Sequence, residues 1–495
     1  MRCFTLIICL LIGACSTPQT DIIRFGLASA PTNLDPRFAT DATSERINRL
    51  LYARLVDFDE RAQPVPSLAS WRQLSPLHYR FRLGAQGRRF HNGERLVAED
   101  VAATYRSIMD ADNASPHRGT LSMLARIEVV DADTVDFHLS RPDTLFPAFL
   151  AIGILPREGI ENDHPFQREP VGSGPFRLLA WPHPGLLELQ RIADGQTVVF
   201  EQVRDPTMRV LKLLRGEVDL LQNDLPPELL LYLSDQAGIA VEQRAGNNFA
   251  YLGFQLQDAD TGRHEVRRAI ALAIDRQAII EHIFHGAARP ASALLVPEHW
   301  AGNPRLPEIR TDVVQARALL TQAGYGAHNP LRLSYKTSSD PFRVRIATLL
   351  QQQLARAGIE VEVKSYDWGT FYGDIKAGRF QMFSLAWVGV KSPDIFRYVF
   401  HSDSLPPAGA NRGRLHDAEV DALIERAMAS TSLEQQAALY ASLQAYLLEQ
   451  LVYVPLWYEH QYFAARTDIE GYALAADGNY DALKHTLKNT HGEPH

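Results

Sequence analysis

Apolar residues recur along the chain with two spacings, one typical of strands and the other of helices. Residues 22–27 are mostly apolar, and apolar side chains alternate with polar ones over 79–83, so both predict strands. Apolar side chains at 47, 50, 51 and 55 predict a helix over 44–55. Two further apolar runs, 127–130 and 135–139, flank Asp131-Ala132-Asp133 and predict a hairpin, with the acidic pair serving the turn rather than a metal. The early chain therefore favours strands and turns with occasional helices.

The second half alternates helix and strand patterns more regularly. We expect one long helix over 265–285, helices beginning at Asp312 and Asp340, and a strand over 359–363. A helix over 368–376, ended by Gly378, and a strand over 380–387 complete a βαβ unit with parallel strands. Ligands of open α/β sheets lie beyond the carboxyl ends of strands. Residues 388–394, which follow the last strand, are therefore a candidate ligand wall.

Length and charge narrow the class of protein. A chain of 495 residues is too long for one core, so two or three domains are expected. Its composition, 46% hydrophobic and 22% charged, is that of a globular protein. The net charge of −8, with dispersed lysines and arginines, gives no sign of a nucleic-acid partner.

All three cysteines, Cys3, Cys9 and Cys15, lie in the first fifteen residues. Arg2, an apolar run over 4–12 and the small pair before Cys15 predict a signal peptide over 1–14, too short for the roughly 20 residues of a membrane span. Ile-Gly-Ala-Cys at 12–15 resembles a bacterial lipobox, which predicts lipidation of Cys15 and a polar tether over 15–20. The alternative is an ordinary secretion signal. The mature chain would lie in the periplasm or cell envelope, anchored to the membrane by its lipid and without disulfides.

Patterns of known catalytic chemistry are missing from the sequence. Gly172-Ser173-Gly174-Pro175 lacks the spacing of a nucleophile elbow, and neither a zinc-protease helix motif nor a phosphate-binding loop occurs. His282 and His285 could pair on a metal, but histidines are also favoured singly near helix C-termini. We expect no enzyme activity, cofactor or resident metal.

A series of short motifs in order along the chain resembles the bacterial extracellular solute-binding proteins of the peptide/nickel-binding family, family 5, which serve ABC importers. The matching segments are Leu-Asp-Pro at 34–36, Phe-His-Asn-Gly-Glu at 90–94 with Ala-Glu-Asp-Val at 98–101, Val-Gly-Ser-Gly-Pro-Phe at 171–176, Leu-Arg-Gly-Glu-Val-Asp at 214–219, 266–276, 323–325, and 354–363 with 378–387. The resemblance covers nearly everything after the signal.

This resemblance implies an α/β fold of the two-lobed periplasmic-binding-protein (Venus-flytrap) type, with an extra domain inserted in the first lobe. We expect the first lobe to comprise 21–50, 172–256 and 457–490, the inserted domain 51–171, and the second lobe 257–456. The chain would cross between lobes near 253–258 and 455–461. A ligand would be buried between the lobes, and the receptor is expected to be a monomer.

The resemblance also gives a candidate binding site. Trp368, Trp387, Val390, Lys391 and Asp394 would line the cleft from the second lobe, and the loop Thr40-Asp41-Ala42 would line it from the first.

Peptide-binding relatives commonly carry an aspartate three residues after the tryptophan that corresponds to Trp387, and this aspartate pairs with the α-ammonium of the peptide. Here that position is Val390, and Lys391 follows it. Either Asp394 replaces the missing carboxylate, or the ligand has no free amine.

The leading hypothesis is thus a lipid-anchored receptor that delivers a peptide or peptide-like solute to the permease of an ABC importer. Alternatives are an envelope ligand sensor, a receptor for a nickel complex, haem or an N-blocked or anionic solute, and, least favoured, a hydrolase.

Overall fold

A computed structural model describes residues 22–489, so that the predicted signal peptide, Cys15 and the tether lie outside the described residues. Its strands are β1 Ile23–Leu27, β2 Val56–Phe58, β3 Pro64–Pro66, β4 Ala69–Ser75, β5 His78–Leu83, β6 Leu124–Asp131, β7 Thr134–Leu139, β8 Phe176–His183, β9 Leu186–Arg191, β10 Thr197–Gln202, β11 Leu220–Gln222, β12 Ile239–Phe254, β13 Ala288–Pro290, β14 Leu331–Ser338, β15 Ile359–Tyr366, β16 Met382–Trp387, β17 Tyr453–Arg466, β18 Ile469–Glu470 and β19 Leu487–Lys488.

The helices are α1 Ala42–Leu51, α2 Ala98–Met109, α3 Arg157–Glu161, α4 Pro206–Leu214, α5 Pro227–Ser234, α6 His264–Ala273, α7 Arg276–His282, α8 Val313–Gln322, α9 Pro341–Arg356, α10 Trp368–Ala377, α11 Ile395–Phe400, α12 Ala418–Met428 and α13 Leu433–Gln450. Two 3-10 helices span Phe146–Leu150 and Asp481–Lys484. Among residues 22–489, no helix is both long and apolar enough to cross a membrane.

One large mixed sheet runs through both lobes, in the order β15-β14-β16-β12-β17-β11-β1-β10-β9-β8, with β13 paired to β17. On the first-lobe side β1 lies parallel to β10 and β11. On the second-lobe side β14 lies parallel to β15 and β16. The long antiparallel strands β12 and β17 join the two sides. The predicted two-lobed α/β class is confirmed.

The pairing of the two joining strands is interrupted between Arg244 and Asn248, opposite Gln461 and Glu459. Residues 249–254 already pair with β16 of the second lobe. In β12 the change of pairing therefore comes before residues 253–258, where we expected the chain to cross between the lobes. In β17 the change of pairing falls within 455–461, the expected second crossing. The lobe and domain boundaries themselves stay predictions.

Burial explains why the joining strands carry apolar side chains on consecutive positions. Trp457 packs in one second-lobe core and its neighbour Tyr458 in the other, because successive side chains of a strand point to opposite faces. The second-lobe half of this sheet is thus covered on both sides. A separate four-stranded sheet, β4-β5-β7-β6, has its own core with α2 and forms the inserted domain.

The single helix predicted over 265–285 is wrong. It is two helices, α6 and α7, separated at Ile274, whose backbone is extended at ψ 117°. Asp275 then caps α7 by accepting a hydrogen bond from the main-chain N–H of Ala278 at 2.9 Å. A cap of this kind competes with continuation of the helix, and the buried guanidinium of Arg276 donates to carbonyl groups exposed by the break, including that of Ala271.

Candidate functional site

The carboxyl ends of the parallel second-lobe strands face the first lobe. Helix α9, which follows β14, places Arg343 3.2 Å from Glu459 of β17 and Arg345 in an ion pair with Glu228 of α5. The cleft between the lobes therefore lies where the strand topology of an open α/β sheet puts ligands.

The loop after β16 is attached to β12 and to His299 through its main chain. Gly389 adopts a φ of +66° and donates its N–H to Asn248, while the side-chain amide of Asn247 donates to the carbonyl of Val390 at 3.2 Å. His299 lies 3.0 Å from the carbonyl of Lys391. The loop is thus fixed to the interrupted part of β12, and the half-buried Val390 packs against the second-lobe core.

Lys391 reaches across the cleft. Its ammonium lies 2.7 Å from a carboxylate oxygen of Asp477, in the segment that follows β18, and 5.6 Å from the ring centre of Phe58. Burial opposes ionisation of Asp477, but Lys391 and more distant Arg49 outweigh it and lower the pKa of Asp477 to about 2. Lys391 is therefore already engaged with a carboxylate and connects the second lobe to the first.

Two adjoining cavities surround this ion pair, and we call them together the cleft cavity. One has a volume of about 280 Å³ and the other about 200 Å³, and both are lined by Arg49, Phe58 and Lys391. The larger is also bordered by Glu45, Asn48 and Arg54 and by apolar residues of the inserted domain, including Leu121, Phe149 and Ile152.

Unpartnered polar atoms mark the wall of the larger part. Asn48 and Arg54 are each 7% exposed. Neither side-chain atom of the Asn48 amide has a hydrogen-bond partner among the described residues, nor do Nε and Nη1 of Arg54. Buried polar groups of this kind cost free energy unless something satisfies them. They are therefore candidate ligand contacts.

Carboxylates balance the cations of the cleft cavity. Arg54 donates to Asp57 at 2.8 Å, and Arg49 lies between Asp57 at 3.2 Å and Asp481 at 2.7 Å. Burial and the neighbouring Arg49 lower the pKa of Arg54. Glu45 also faces the cavity, and burial raises the pKa of its carboxyl although Lys391 opposes the effect.

The family follows from comparison with known proteins. A family model described as bacterial extracellular solute-binding proteins, family 5 (middle region), matches residues 63–404. This chain belongs to that family. Its members are binding proteins for ABC importers rather than enzymes, which confirms the predicted family, the expected lack of catalysis and a site of action outside the cytoplasm.

Relatives of this family-5 protein carry different cargoes. It is 27% identical to a probable di/tripeptide-binding protein 5 of Pseudomonas aeruginosa, over 89% of this chain and 90% of that protein. It is 26% identical to heme-binding protein A of Haemophilus influenzae, with 92% and 90% covered. Its fold matches NikZ of Campylobacter jejuni in complex with Ni(L-His), with a TM-score of 0.80, 22% identity, and 95% and 100% covered. The fold alone does not select a cargo.

The two predicted tryptophans lie on one second-lobe surface, in a row connected by Arg412. The ring of Trp387 is 4.8 Å from the guanidinium of Arg412, which also donates to the hydroxyl of Tyr372 at 3.1 Å. Trp368, 59% exposed, stacks on Tyr372 with ring centres 5.3 Å apart. Neither tryptophan borders the cleft cavity as described, so their roles as ligand walls stay predictions.

The predicted first-lobe loop begins α1. Asp41 caps this helix by accepting from the N–H of Ser44 at 2.8 Å and from the hydroxyl of Thr32 at 2.6 Å. These bonds outweigh burial and lower the pKa of Asp41. Thr40 and Ala42 are exposed, and the cleft cavity is bordered by their neighbours Ala39 and Glu45 instead.

Asp394 lies directly before α11, three residues after Lys391, and is not among the described residues that border the cleft cavity. Burial and then the nearby carboxylate of Asp143 raise its pKa to about 7. The role of Asp394 as a replacement for the missing aspartate stays a prediction.

Sequence reasoning missed Asn48, Arg54 and Asp477. A signal existed for Asn48, since it is a polar residue directly beside Ile47 and three residues before Leu51 on the buried side of α1. For Arg54 and Asp477 there was none, because their role depends on contacts between distant segments.

A possible metal cluster also escaped the sequence reading. Among the described residues, His78, Asp136 and His138 of the inserted domain have ligand atoms within 4.8 Å of one another. However, both carboxylate oxygens of Asp136 already accept hydrogen bonds from Arg80 at 2.8 Å. The cluster is therefore an ion-paired face of the sheet.

Proposed function

We propose that this family-5 protein is a lipid-anchored receptor for a peptide-like solute whose recognised end carries acceptor oxygens, as an N-acyl or carboxylate group does, and no free amine. The observation that carries this proposal is a set of buried side-chain atoms in the cleft cavity, Nε and Nη1 of Arg54 and the amide of Asn48, that have no hydrogen-bond partner among the described residues. Within residues 22–489, Arg54 thus offers two free donor nitrogens and Asn48 one, against a single free acceptor oxygen.

The position of Val390 supports the same cargo. An ammonium placed where relatives bind one would meet a valine, and Lys391 stands next in the chain. Truncation of one partner in a buried charge pair typically costs about 3–5 kcal/mol, because the other charge stays buried and unpaired. An acyl or carboxylate oxygen avoids that cost and would satisfy Arg54.

One carboxylate tests this reasoning directly. Among the described residues that border the larger part of the cleft cavity, Glu45 alone is acidic. It could pair with an ammonium if the amine approached α1 rather than Val390. Burial, which raises the pKa of Glu45, weakens that pairing but does not prevent it.

The decisive experiment is calorimetry of a free-amine dipeptide library and the same library N-acetylated, with the wild type and with Glu45→Gln, Asp394→Ala and Arg54→Gln. We expect the wild type to bind acetylated ligands, and Arg54→Gln to raise their dissociation constant at least about tenfold, since hydrogen bonds to charged groups contribute about 1.5–3 kcal/mol. Glu45→Gln and Asp394→Ala should leave the affinity for acetylated ligands unchanged. Preference for free amines that is lost in Glu45→Gln or Asp394→Ala would contradict the proposal.

The anchor is a separate part of the proposal. Cys15 lies outside the described residues, and its lipidation rests on the sequence pattern before it. Labelling of cells with a radioactive fatty acid should mark the wild type and not Cys15→Ser. Correctly cleaved and soluble Cys15→Ser protein would instead indicate an ordinary secretion signal.

A further inference from the structure

A second and larger cavity lies between the first lobe and the inserted domain. It has a volume of about 1150 Å³. We call it the arginine groove, after the eight basic side chains that border it: Arg49, Arg54, Arg88, Arg89, Arg95, Arg177, Arg191 and Lys484. Its walls are the end of α1 and the following segment, the 85–95 loop, residues 173–177 and 191–193, and residues 484–485.

The groove keeps an excess of positive charge in an acidic protein. Asp57 and Glu94 border it, and Asp133, Asp194 and Asp481 form ion pairs with its cations. Eight cations thus meet five carboxylates. Within residues 22–489, no ion pair is found for Arg89 or for Arg177, whose guanidinium donates to the side-chain oxygen of Gln190. Concentration of one charge sign in a concave surface attracts ligands of the opposite sign.

Buried polar atoms in the groove lack partners. Ser173 is 7% exposed, and its hydroxyl has no hydrogen-bond partner among the described residues. The backbone beside Ser173 cannot relax, because it presses on α1. A β-carbon on Gly172 would lie 2.0 Å from the carbonyl oxygen of Leu51. The hydroxyl is therefore held in the groove wall by glycines that permit this approach.

His91 adds a hydrogen-bond acceptor to these donors. Its Nε2 lies 3.2 Å from the carbonyl of Gly174, so that Nε2 carries the proton and donates, and burial lowers the pKa of the ring. A neutral ring in this tautomer presents a lone pair at Nδ1, which is buried and has no partner among residues 22–489. The groove thus combines donors for anionic oxygens with an acceptor for a hydroxyl group.

We propose that the arginine groove is a second ligand site, distinct from the cleft cavity, for a small hydroxylated anion with at least two phosphate or carboxylate groups. Guanidinium groups match both kinds of oxygen in bidentate geometry. The unpaired Arg89 and Arg177 bind the charged groups, Ser173 donates to an anionic oxygen, and His91 accepts from a ligand hydroxyl. Arg49 and Arg54 border both cavities, so the test leaves these two residues unchanged.

The experiment titrates fructose 1,6-bisphosphate and citrate into the wild type, into the double variant Arg89→Gln/Arg177→Gln, and into Arg305→Gln/Arg356→Gln. The control pair is exposed, belongs to the second lobe and changes the net charge equally. We expect the wild type and the control to bind at least one probe, and the groove variant to bind it at least about tenfold more weakly. Raising the salt concentration from roughly 0.1 to 0.5 M should weaken binding of the probe to the wild type and to the control variant.

Two readouts make the result decisive. Thermal unfolding should be the same for the groove variant and the control, since all four arginines are exposed. Ser173→Ala should also weaken binding of the probe, without altering the binding of acetylated peptides in the cleft. The proposal is overturned if neither probe binds the wild type at about 5 mM, or if the groove variant binds as well as the control.

Discussion

The ion pair between Lys391 and Asp477 offers the sharpest test of how the two lobes are held. The pair joins the loop after β16 to the segment after β18, and its side chains are 29% and 19% exposed. The other contacts of this loop, with Asn247, Asn248 and His299, are made by its main chain. Replacing Lys391 with methionine therefore removes the charge and leaves the loop in place.

The pKa of Asp477 sets the size of the effect. The difference between 3.8 and about 2 corresponds to roughly 2.4 kcal/mol at 1.36 kcal/mol per pKa unit. Arg49 and the N–H of Asn479 supply part of this stabilisation, and both side chains of the pair are partly exposed. We therefore expect Lys391→Met to lower the free energy of unfolding by about 1–2 kcal/mol.

The effect should depend on pH in a defined direction. A carboxyl whose pKa is lower in the folded state stabilises the fold fully at pH values above its unfolded-state pKa. That contribution disappears as the pH falls through its folded-state pKa. The difference between wild type and Lys391→Met should thus be constant from about pH 8 to pH 5, and shrink as the pH falls from 3.8 towards 2.

The assay is a double-mutant cycle of Lys391→Met, Asp477→Asn and both together, with urea unfolding followed by the fluorescence of the six tryptophans. Lys376→Met, which removes an exposed lysine from α10 in the same lobe, is the matched control and should change stability by less than about 0.5 kcal/mol. A coupling energy below about 0.3 kcal/mol at pH 7 would refute this account of the pair.

Two further predictions concern other parts of the molecule. Gly172→Ala should destabilise the protein by about 3 kcal/mol or more in thermal unfolding, since its β-carbon would lie 2.0 Å from a backbone oxygen. Gly119→Ala is the matched control and should be nearly neutral, since its β-carbon would have no atom of the other described residues within 4 Å, chain neighbours aside. Because burial raises the pKa of Asp394 to about 7, its folded carboxyl keeps a proton that the unfolded one has lost, and stability should fall by about 2–4 kcal/mol as the pH rises from 4 to 7.5. Asp394→Asn should flatten this dependence, and an unchanged slope would assign it to other groups.

The sequence predicted most reliably those elements whose ends are fixed by local chemistry. Helices α8 and α9 begin after Asp312 and Asp340 as expected, because each aspartate accepts a hydrogen bond from an N–H three residues ahead. Helix α10 ends at Gly378, whose φ of +76° suits a residue without a β-carbon. These signals lie within a few residues of the feature that they determine.

Features that depend on distant segments were missed or misplaced. The predicted βαβ unit exists, but β14 lies between its strands β15 and β16, an order that the pattern of the unit does not determine. The ion pair between Lys391 and Asp477 across the cleft had no signal in the sequence. Both outcomes are set by pairing across the sheet or the cleft, which apolar periodicity does not record.

Because Lys391 is already paired with Asp477, its charge does not explain why the cleft should reject an amine. Cations and carboxylates around the cleft cavity nearly balance, so that net charge alone selects neither an anion nor a cation. Selection then falls to the side-chain atoms of Arg54 and Asn48 that have no partner among the described residues, and these atoms offer more donors than acceptors. A free ammonium brings only donors and would leave Arg54 unsatisfied, whereas an acyl or carboxylate end supplies the acceptor oxygens. The cleft should therefore discriminate by hydrogen-bond complementarity, and its preference for acetylated over free-amine ligands should persist at high salt, where a preference based on charge would weaken.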